Sequence, residues 1–493
     1  MIRTRFAPSP TGSLHIAGIR NALYCYALAK KHNGKFIVRI EDTDQARFVP
    51  GSIEEIFEVL DLYGLTPDES IIHGGEYGPY LQSKRLNIYN KYIQKLIDKG
   101  YAYYCFLDEG ELKSLQKSYK GKGFRSPYRN ISKIELESKL SKNIPYVIRL
   151  KVPEGEKIEF VDGIQGKIIF DTDVVGDEIL IKSNGMPSYH FAVVVDDHEM
   201  KISHVIRSIE WLPSTPKQII LYKYLDLPMP KYYHPPVILD PLGGKLSKRK
   251  GTVSARKFLE EGYLVEAILN FVMLLGWAPK IERMHGHKEK ELFTIEEFIQ
   301  LFDLSDINKS NPVFNRDKLI WFNMQYIKSL SLEDLQIKFI NWLQKFSNLN
   351  FREKIIEDIN LKKKLSLLNT RSKTLVELAE SLRFFYERPE ITKEIFLINQ
   401  LNSFRDKLTI IASDIIKVIE NLDENSENWN KDVWANEMKE ISQKNSLQNG
   451  DSFMLLRVMI TGSPYSPPLF ESMQILGRKE LIDRFCVFFK ISQ

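Results

Sequence analysis

The sequence predicts an α/β protein with a mostly parallel sheet, an inserted segment and a helical final third. Three observations carry this. Strand-like and helix-like stretches alternate over the first 105 residues, short β-like runs in a lysine-rich setting follow Cys105, and strand signals fade beyond about Asp317, where helical spacing takes over. At 493 residues the chain has the length of about three ordinary domains.

The first strand is residues 2–7, where apolar or small residues alternate with polar ones until Pro8, Pro10 and Gly12 stop regular pairing. From Ile19, the residues Ala22, Leu23, Tyr26 and Ala29 recur at helical spacing, with Gly34 as a stop before a β-rich run over 36–40. Ser52 and Glu55 fit a capping box for the next helix, whose apolar face is Ile53, Ile56, Phe57 and Leu60 and whose end is Gly64. A further helix carries Leu86, Tyr89, Ile93, Leu96 and Ile97 up to Gly100. After Cys105, Gly121 and Gly123 lead into β-like runs over 146–151 and 167–170. Val193-Val194-Val195, ending in Asp196-Asp197-His198, reads as a buried strand where the parallel sheet resumes. In the final third Leu375, Leu378, Ala379 and Leu382 share a helix face, and the charge-rich stretch 421–443 is either a mobile connector or a solvated helix face.

Hydrophobic residues make up 43% and charged residues 27%, the usage of a folded chain and not of a disordered or coiled-coil one. With 69 Lys and Arg against 64 Asp and Glu the net charge is +5, which permits an acidic partner without demanding one. Cys25, Cys105 and Cys486 lie far apart with no CxxC pair, so neither a disulfide framework nor a cysteine-rich zinc site is expected. No apolar run reaches the roughly 18 residues of a membrane helix. Residues 1–10 lack the plan of a signal peptide, so the expected compartment is the cytoplasm.

Residues Pro8-Ser9-Pro10-Thr11-Gly12-Ser13-Leu14-His15-Ile16-Ala17-Gly18 join the first strand to the first helix, where backbone N–H groups and the positive helix end receive phosphate. His15 has two readings there: an imidazole that caps the loop, or a donor to a phosphate oxygen. Lys245-Leu246-Ser247-Lys248-Arg249-Lys250-Gly251 follows a Gly243-Gly244 pair and precedes Arg256 and Lys257. It is either a solvated basic loop or a mobile clamp that brings ammonium groups onto a triphosphate, and such a cluster also suits RNA backbone. Glu41-Asp42-Thr43-Asp44 follows a strand, where carboxylates either hold an amino group or magnesium or cap the next helix. His190 and His198 with Asp196 and Asp197 have the composition of a metal cluster but no compact ligand spacing, and His285 and His287 read as part of a polar loop; no zinc is expected.

Together these features become specific. The 8–18 loop and the 245–249 run closely resemble the HIGH and KMSKS signatures of class I aminoacyl-tRNA synthetases. Residues 5–12, 38–44, Tyr189-His190, 195–198 and Glu210-Trp211-Leu212 resemble the bacterial glutamyl-tRNA synthetase family. The likeness continues through Leu274-Leu275-Gly276-Trp277, residues 315–323, Leu456-Arg457-Val458 and residues 466–470, and so spans essentially the whole chain. It implies a Rossmann-like parallel-sheet catalytic domain in two halves, 1–105 and 188–240, around an inserted α+β acceptor-stem domain at 106–187. A stem-contact region at 241–320 carries the KMSKS-like loop, and an all-α anticodon-binding region fills 321–493.

The resemblance implies activation of L-glutamate by ATP with Mg2+ to glutamyl-adenylate, then transfer to the 3′ end of a glutamate tRNA. In-line attack of a carboxylate on the α-phosphate needs positioning and charge stabilisation, with no covalent enzyme intermediate. By resemblance His15, Lys245 and Lys248 are the catalytic donors, His15 donating a hydrogen bond instead of acting as a base. ATP is held by Ser9, Gly12, His15, Gly18, Lys245, Ser247 and Lys248. Arg5, Tyr189 and Arg207 surround the substrate carboxylates, with Ser9 and Glu41 at the α-amino group. A rigid guanidinium fork suits a carboxylate, and a cation left unpaired by glutamine's amide penalises that analogue.

Some positions depart from the family pattern. Ala17 replaces a glycine near the adenine, Gly18 the last histidine of HIGH, and Val193 an asparagine of the amino-acid pocket, while Cys105 stands too isolated for the zinc knuckle of some relatives. In the helical region Lys362, Lys363, Lys364, Arg371 and Lys373 are each either a phosphate contact or part of a solvated face. The resemblance further implies a monomer whose glutamate activation depends on bound tRNA. The rival readings are a relaxed enzyme that also charges a glutamine tRNA, and a non-catalytic paralogue, the latter opposed by intact Arg5, His15, Glu41, Arg207 and both signature lysines. A Rossmann dehydrogenase is disfavoured because no GxGxxG follows the first strand.

Overall fold

The first strand has no exposed face. In the computed structural model, which describes residues 1–119, 122–246, 253–280, 290–390, 407–427 and 429–492, strand β1 (Arg3–Phe6) is buried at all four positions. A strand in a parallel sheet is covered on both sides in this way. The period of two sends Arg3 and Arg5 to one face and Thr4 and Phe6 to the other.

The chain continues through α1 (Ile16–Lys31), β2 (Lys35–Val38), α2 (Ser52–Leu62), α3 (Leu86–Asp98), β3 (Ala102–Cys105), α4 (Glu109–Ser118) and α5 (Lys133–Ser141). Next come β4 (Val147–Leu150), β5 (Lys157–Asp162), β6 (Gly166–Asp171), β7 (Ile179–Ile181), α6 (Tyr189–Glu199), β8 (His204–Ile206), α7 (Thr215–Leu225) and β9 (Lys231–Tyr233). The main sheet runs β2-β1-β8-β9-β5-β6, parallel as far as β5 and ended by the antiparallel β5–β6 hairpin. A smaller antiparallel sheet runs β3-β4-β7.

The two faces of β1 are tied to different helices. On one, Thr4 Oγ1 donates to the Cys25 carbonyl of α1 at 2.8 Å. On the other, Arg3 Nε donates to the Met200 carbonyl at the end of α6 at 2.8 Å, and Arg5 reaches Asp197 within α6. Behind this face Leu96, Leu150, Leu180, Phe191, Val195 and Leu221 share one apolar core.

Three expectations give way. Residues 193–195 are not a strand but the middle of α6, where 191–197 are all buried. A helix enclosed on every side shows no amphipathic period, so its β-branched run imitates a buried strand; the parallel sheet resumes at β8 instead. Ser52 forms no capping box: Gly51, at φ 80°, is the N-cap of α2, and Ser52 Oγ donates to the Val49 carbonyl at 2.6 Å. Helix α1 begins three residues before Ile19, because His15 caps it.

By contacts the chain forms two compact units, Met1–Phe258 with Ile268–Arg316, and Leu259–Ala267 with Asp317–Gln493. In the second unit the described elements after Asp317 are helical. Ile411, Ile415, Trp434, Met438, Leu455 and Phe485 belong to its core. The charge-rich stretch contains the helix Lys431–Lys444, in which Trp434, Met438 and Ile441 form the buried stripe. Of the two readings of that stretch, its C-terminal half follows the solvated helix face.

Candidate active site

A cavity of about 400 Å³ opens at the carboxyl ends of β1, β2 and β8, the end of a parallel sheet where ligands bind. Arg5, Ser9, Glu41, Tyr189 and Arg207 all line it. They come from four separate chain segments, so only the sheet brings them together.

Arg5 is held by a buried chain of alternating charges. Its Nε donates to Asp197 Oδ1 at 3.1 Å and Oδ2 at 3.3 Å; Arg39 Nη1 donates to the same Oδ1 at 2.7 Å; and Arg39 Nη2 donates to Glu41 Oε1 at 2.9 Å. All four side chains are buried, and two cations balance two anions, which is what makes charges tolerable in an interior. Burial pushes the Asp197 carboxyl up, but Arg5 and Arg39 outweigh it and hold Asp197 below the usual carboxylate range. For Glu41, burial wins over Arg39 and the pKa is raised. Among the described residues Arg5 donates side-chain hydrogen bonds through Nε alone, which leaves its two Nη groups for a carboxylate in the cavity.

Arg207, just after β8, is oriented differently. Its Nε donates to His234 Nε2 at 3.1 Å, Nη1 to the Tyr189 hydroxyl at 3.3 Å and Nη2 to Thr215 Oγ1 at 3.0 Å. The Trp211 ring lies 4.6 Å from that of Tyr189 and shares the cavity wall.

Gly12, His15, Gly18 and Lys245 do not line this cavity; Ser9 alone belongs to both expected sets. His15 Nδ1 accepts from the Ala17 backbone N–H at 3.0 Å and so caps α1. The capping reading is the one the structure shows, and a neutral ring that accepts at Nδ1 carries its proton on Nε2. Gly12 sits at φ 121°, in the left-handed region. A Cβ on Gly18 would stand 2.8 Å from Leu14 Cδ1, so the histidine of the family signature does not fit without moving Leu14.

The HIGH-like loop is tied to the chain just beyond the KMSKS-like run. Ile16 N–H donates to the Val253 carbonyl at 2.8 Å and Ala255 N–H to the Leu14 carbonyl at 2.9 Å, while Leu246 N–H donates to the Ile238 carbonyl at 3.0 Å. The KMSKS-like loop is thus anchored at both ends. Lys245 Nζ pairs with Glu210 Oε2 at 2.6 Å on an exposed surface. Ser247, Lys248 and Arg249, like His285 and His287, lie outside the described residues.

The residues that sequence reasoning missed here are Arg39, Asp197 and His234. A signal for the first two existed, since each stands in a segment carrying the family resemblance. Asp196 and Asp197 also diverge: Asp196 accepts from Arg85, Gln82 and Tyr89, away from the cavity. Val193 is 2% exposed in the apolar core, so its side chain packs there instead of extending the polar wall. Among the described residues no group of three or more His, Cys, Asp or Glu forms a metal cage.

Comparison with known proteins supplies the family. Residues 1–321 match the family described as tRNA synthetases class I (E and Q), catalytic domain, and 337–486 match an anticodon binding domain. A glutamate–tRNA ligase of Finegoldia magna is 38% identical, covering 98% of both chains, and one of Clostridium tetani is 40% identical, covering 98% of this chain and 96% of the relative. A crystal structure of a glutamate tRNA ligase from Elizabethkingia meningosepticum in complex with its amino acid superposes with a TM-score of 0.84, at 33% identity over all of both chains. The chain therefore belongs to the class I tRNA synthetases of the E and Q group, within the glutamate–tRNA ligase family.

Proposed function

We infer that this chain is an enzyme that joins L-glutamate to a glutamate tRNA at the expense of ATP. One observation carries the reading: two guanidinium groups, Arg5 and Arg207, face one small cavity beside Glu41, a charge pattern that fits a substrate with two carboxylates and one ammonium. Tyr189 and Arg207 take one carboxylate and the Nη edge of Arg5 the other, with Ser9 and Glu41 at the ammonium. ATP lies toward His15, at the N-terminus of α1, against Gly12 and Gly18. The substrate carboxylate attacks the α-phosphate in line, and pyrophosphate leaves. His15 Nε2–H and the ammonium groups of Lys245 and Lys248 stabilise the charge on the phosphate oxygens. The terminal ribose hydroxyl of tRNA then displaces AMP. ATP enters as its Mg2+ complex, the ion carried on the triphosphate.

In the same reading residues 106–187 meet the acceptor stem, 241–320 the adjoining stem and 321–493 the anticodon, with Lys362, Lys363, Arg371 and Lys373 exposed for phosphate contact. Lys364 is not in this set, since it is buried against Asp358 at 2.7 Å. The enzyme works as a monomer in the cytoplasm; no helix among the described residues is long and apolar enough to cross a membrane. The test is charging of radiolabelled glutamate onto separate glutamate and glutamine tRNA transcripts, with Lys248→Ala as control. Charging of the first alone marks a discriminating enzyme, charging of both a relaxed one, and charging of neither rejects the reading.

A further inference from the structure

Behind Arg207 lies a second pair of groups that touches neither the cavity nor any expected substrate atom. His234 follows β9 and is fully buried, as is Asp162 at the end of β5. His234 Nδ1 lies 2.6 Å from Asp162 Oδ2, and His234 Nε2 is the acceptor for Arg207 Nε at 3.1 Å. An arginine only donates, so Nε2 must carry a lone pair, and the ring proton must sit on Nδ1, donated to Asp162. The carboxylate thereby selects the one tautomer that Arg207 can use.

Asp162 is itself fixed. Its Oδ1 accepts from the backbone N–H groups of Ile164 at 3.0 Å and Gln165 at 2.8 Å, the turn of the β5–β6 hairpin. Gly163 lets this turn close onto β9: its N–H donates to the Tyr232 carbonyl at 2.8 Å, and a Cβ there would fall 2.0 Å from Tyr233 Cε1. Thr215 completes the clamp, its hydroxyl accepting from Arg207 Nη2 at 3.0 Å and donating to the Trp211 carbonyl at 3.2 Å. With Nε and Nη2 engaged in this way, the guanidinium plane is set and Nη1 is left toward Tyr189 and the cavity.

We propose that Asp162 and His234 are positioning residues for glutamate recognition: the carboxylate sets the imidazole tautomer, and the imidazole sets the plane in which Arg207 meets the substrate carboxylate. The hairpin that ends the main sheet thus acts on specificity without touching the substrate. The inference rests on Arg207 as a glutamate ligand.

The experiment is steady-state ATP–pyrophosphate exchange by the full chain with tRNA present, titrating glutamate and ATP separately. Asp162→Asn keeps an oxygen for the turn but offers the ring an N–H, so the proton moves to Nε2 and confronts the Arg207 donor. A buried donor facing a donor raises the glutamate KM by about tenfold or more, while the ATP KM stays within about twofold. His234→Gln supplies an acceptor with no tautomer: its glutamate KM rises less than that of His234→Leu, and adding Asp162→Asn to it changes little. An unchanged glutamate KM in Asp162→Asn, or equal rises for glutamate and ATP, overturns the proposal. Should Asp162→Asn fail to fold, equal glutamate KM values in His234→Gln and His234→Leu overturn it. Arg207→Lys separates the two levels: if it leaves the glutamate KM unchanged, the reading of Arg207 itself fails, whereas a raised KM there with a silent Asp162→Asn defeats only the positioning role.

Discussion

At the base of the cavity in the first unit the arginines are buried and tied to acceptors, Arg5 to Asp197 and Arg207 to His234 and Thr215, with Arg39 behind them on Asp197 and Glu41, while Arg47 at the rim is exposed and pairs with Asp44. The helical unit has a larger cavity, about 860 Å³, whose arginines are held loosely. Arg383 pairs with Glu380 at 2.9 Å and Glu387 at 3.1 Å, and Arg388 with Glu480 at 2.7 Å, all with water access. Exposed pairs of this kind contribute about 0–1 kcal/mol each, whereas removing one partner of a buried pair costs about 3–5 kcal/mol. A small zwitterion must find its counter-charges already in place, because it has too few contacts to organise them. A long polyanion such as RNA meets many groups at once, so each can remain mobile.

The largest expected effect tests the rigid side of this contrast. Arg5→Leu leaves Asp197 with one cation fewer, and kcat/KM for glutamate should fall about a thousandfold, some 4 kcal/mol, in pyrophosphate exchange with tRNA. A loss below about tenfold would mean that Arg5 is structural ballast and not a ligand. Lys248→Ala comes next, at about a hundredfold in kcat with an unchanged glutamate KM; a pure KM effect would assign that lysine to binding. Glu41→Gln follows, weakening glutamate by about tenfold. Its pH profile is the sharper readout. Because burial raises the Glu41 pKa, the ionised form, which in the proposed reading meets the substrate ammonium, is lost at higher pH than for an ordinary glutamate. The wild-type glutamate KM therefore rises on acidification, and the variant's should stay flat over the same window.

A fourth test distinguishes the two units by stability. All nine histidines precede residue 288, and the seven among the described residues fall in the first unit. Burial drives His190 and His204 down to about 4. The unfolded chain, titrating near 6.5, binds more protons between those values, so this stability is complete above about pH 6.5 and is lost as pH falls toward 4. Thermal unfolding followed by proteolysis at pH 7 and pH 5 should show the first unit weakening while the helical unit holds, with His204→Gln reducing the difference. The smallest effect is on the loose side: Arg371→Ala should raise the tRNA KM only two- to threefold, lower its salt dependence, and leave glutamate untouched.

Much of the site was legible because its residues sit in continuous segments. Arg5, Ser9 and His15 lie on one strand-loop-helix, and Glu41 closes the next strand, so spacing and resemblance reached them together. The partners that hold them were harder to see. Asp197 stands 192 residues from Arg5 in the chain, and Asp196 beside it looks the same in sequence yet serves Arg85, Gln82 and Tyr89. One residue along a helix is a turn of about 100°, so only the placement of α6 decides which carboxylate meets Arg5. The same burial hid α6 itself, since a helix covered all round has no polar stripe to betray its period.

By itself, then, the sequence determined what local rules can carry. The proline-rich turn after β1 and glycine-marked helix ends such as Gly64 and Gly100 follow from backbone sterics over a few residues. So does the cap at His15, whose ring bonds two residues along the chain. Tertiary structure alone decided the charge chain Arg5–Asp197–Arg39–Glu41 and the proton position on His234, because both depend on which buried groups the sheet brings within hydrogen-bond distance. In an interior each such group must be matched, and the match is made across the fold, where sequence spacing has no reach.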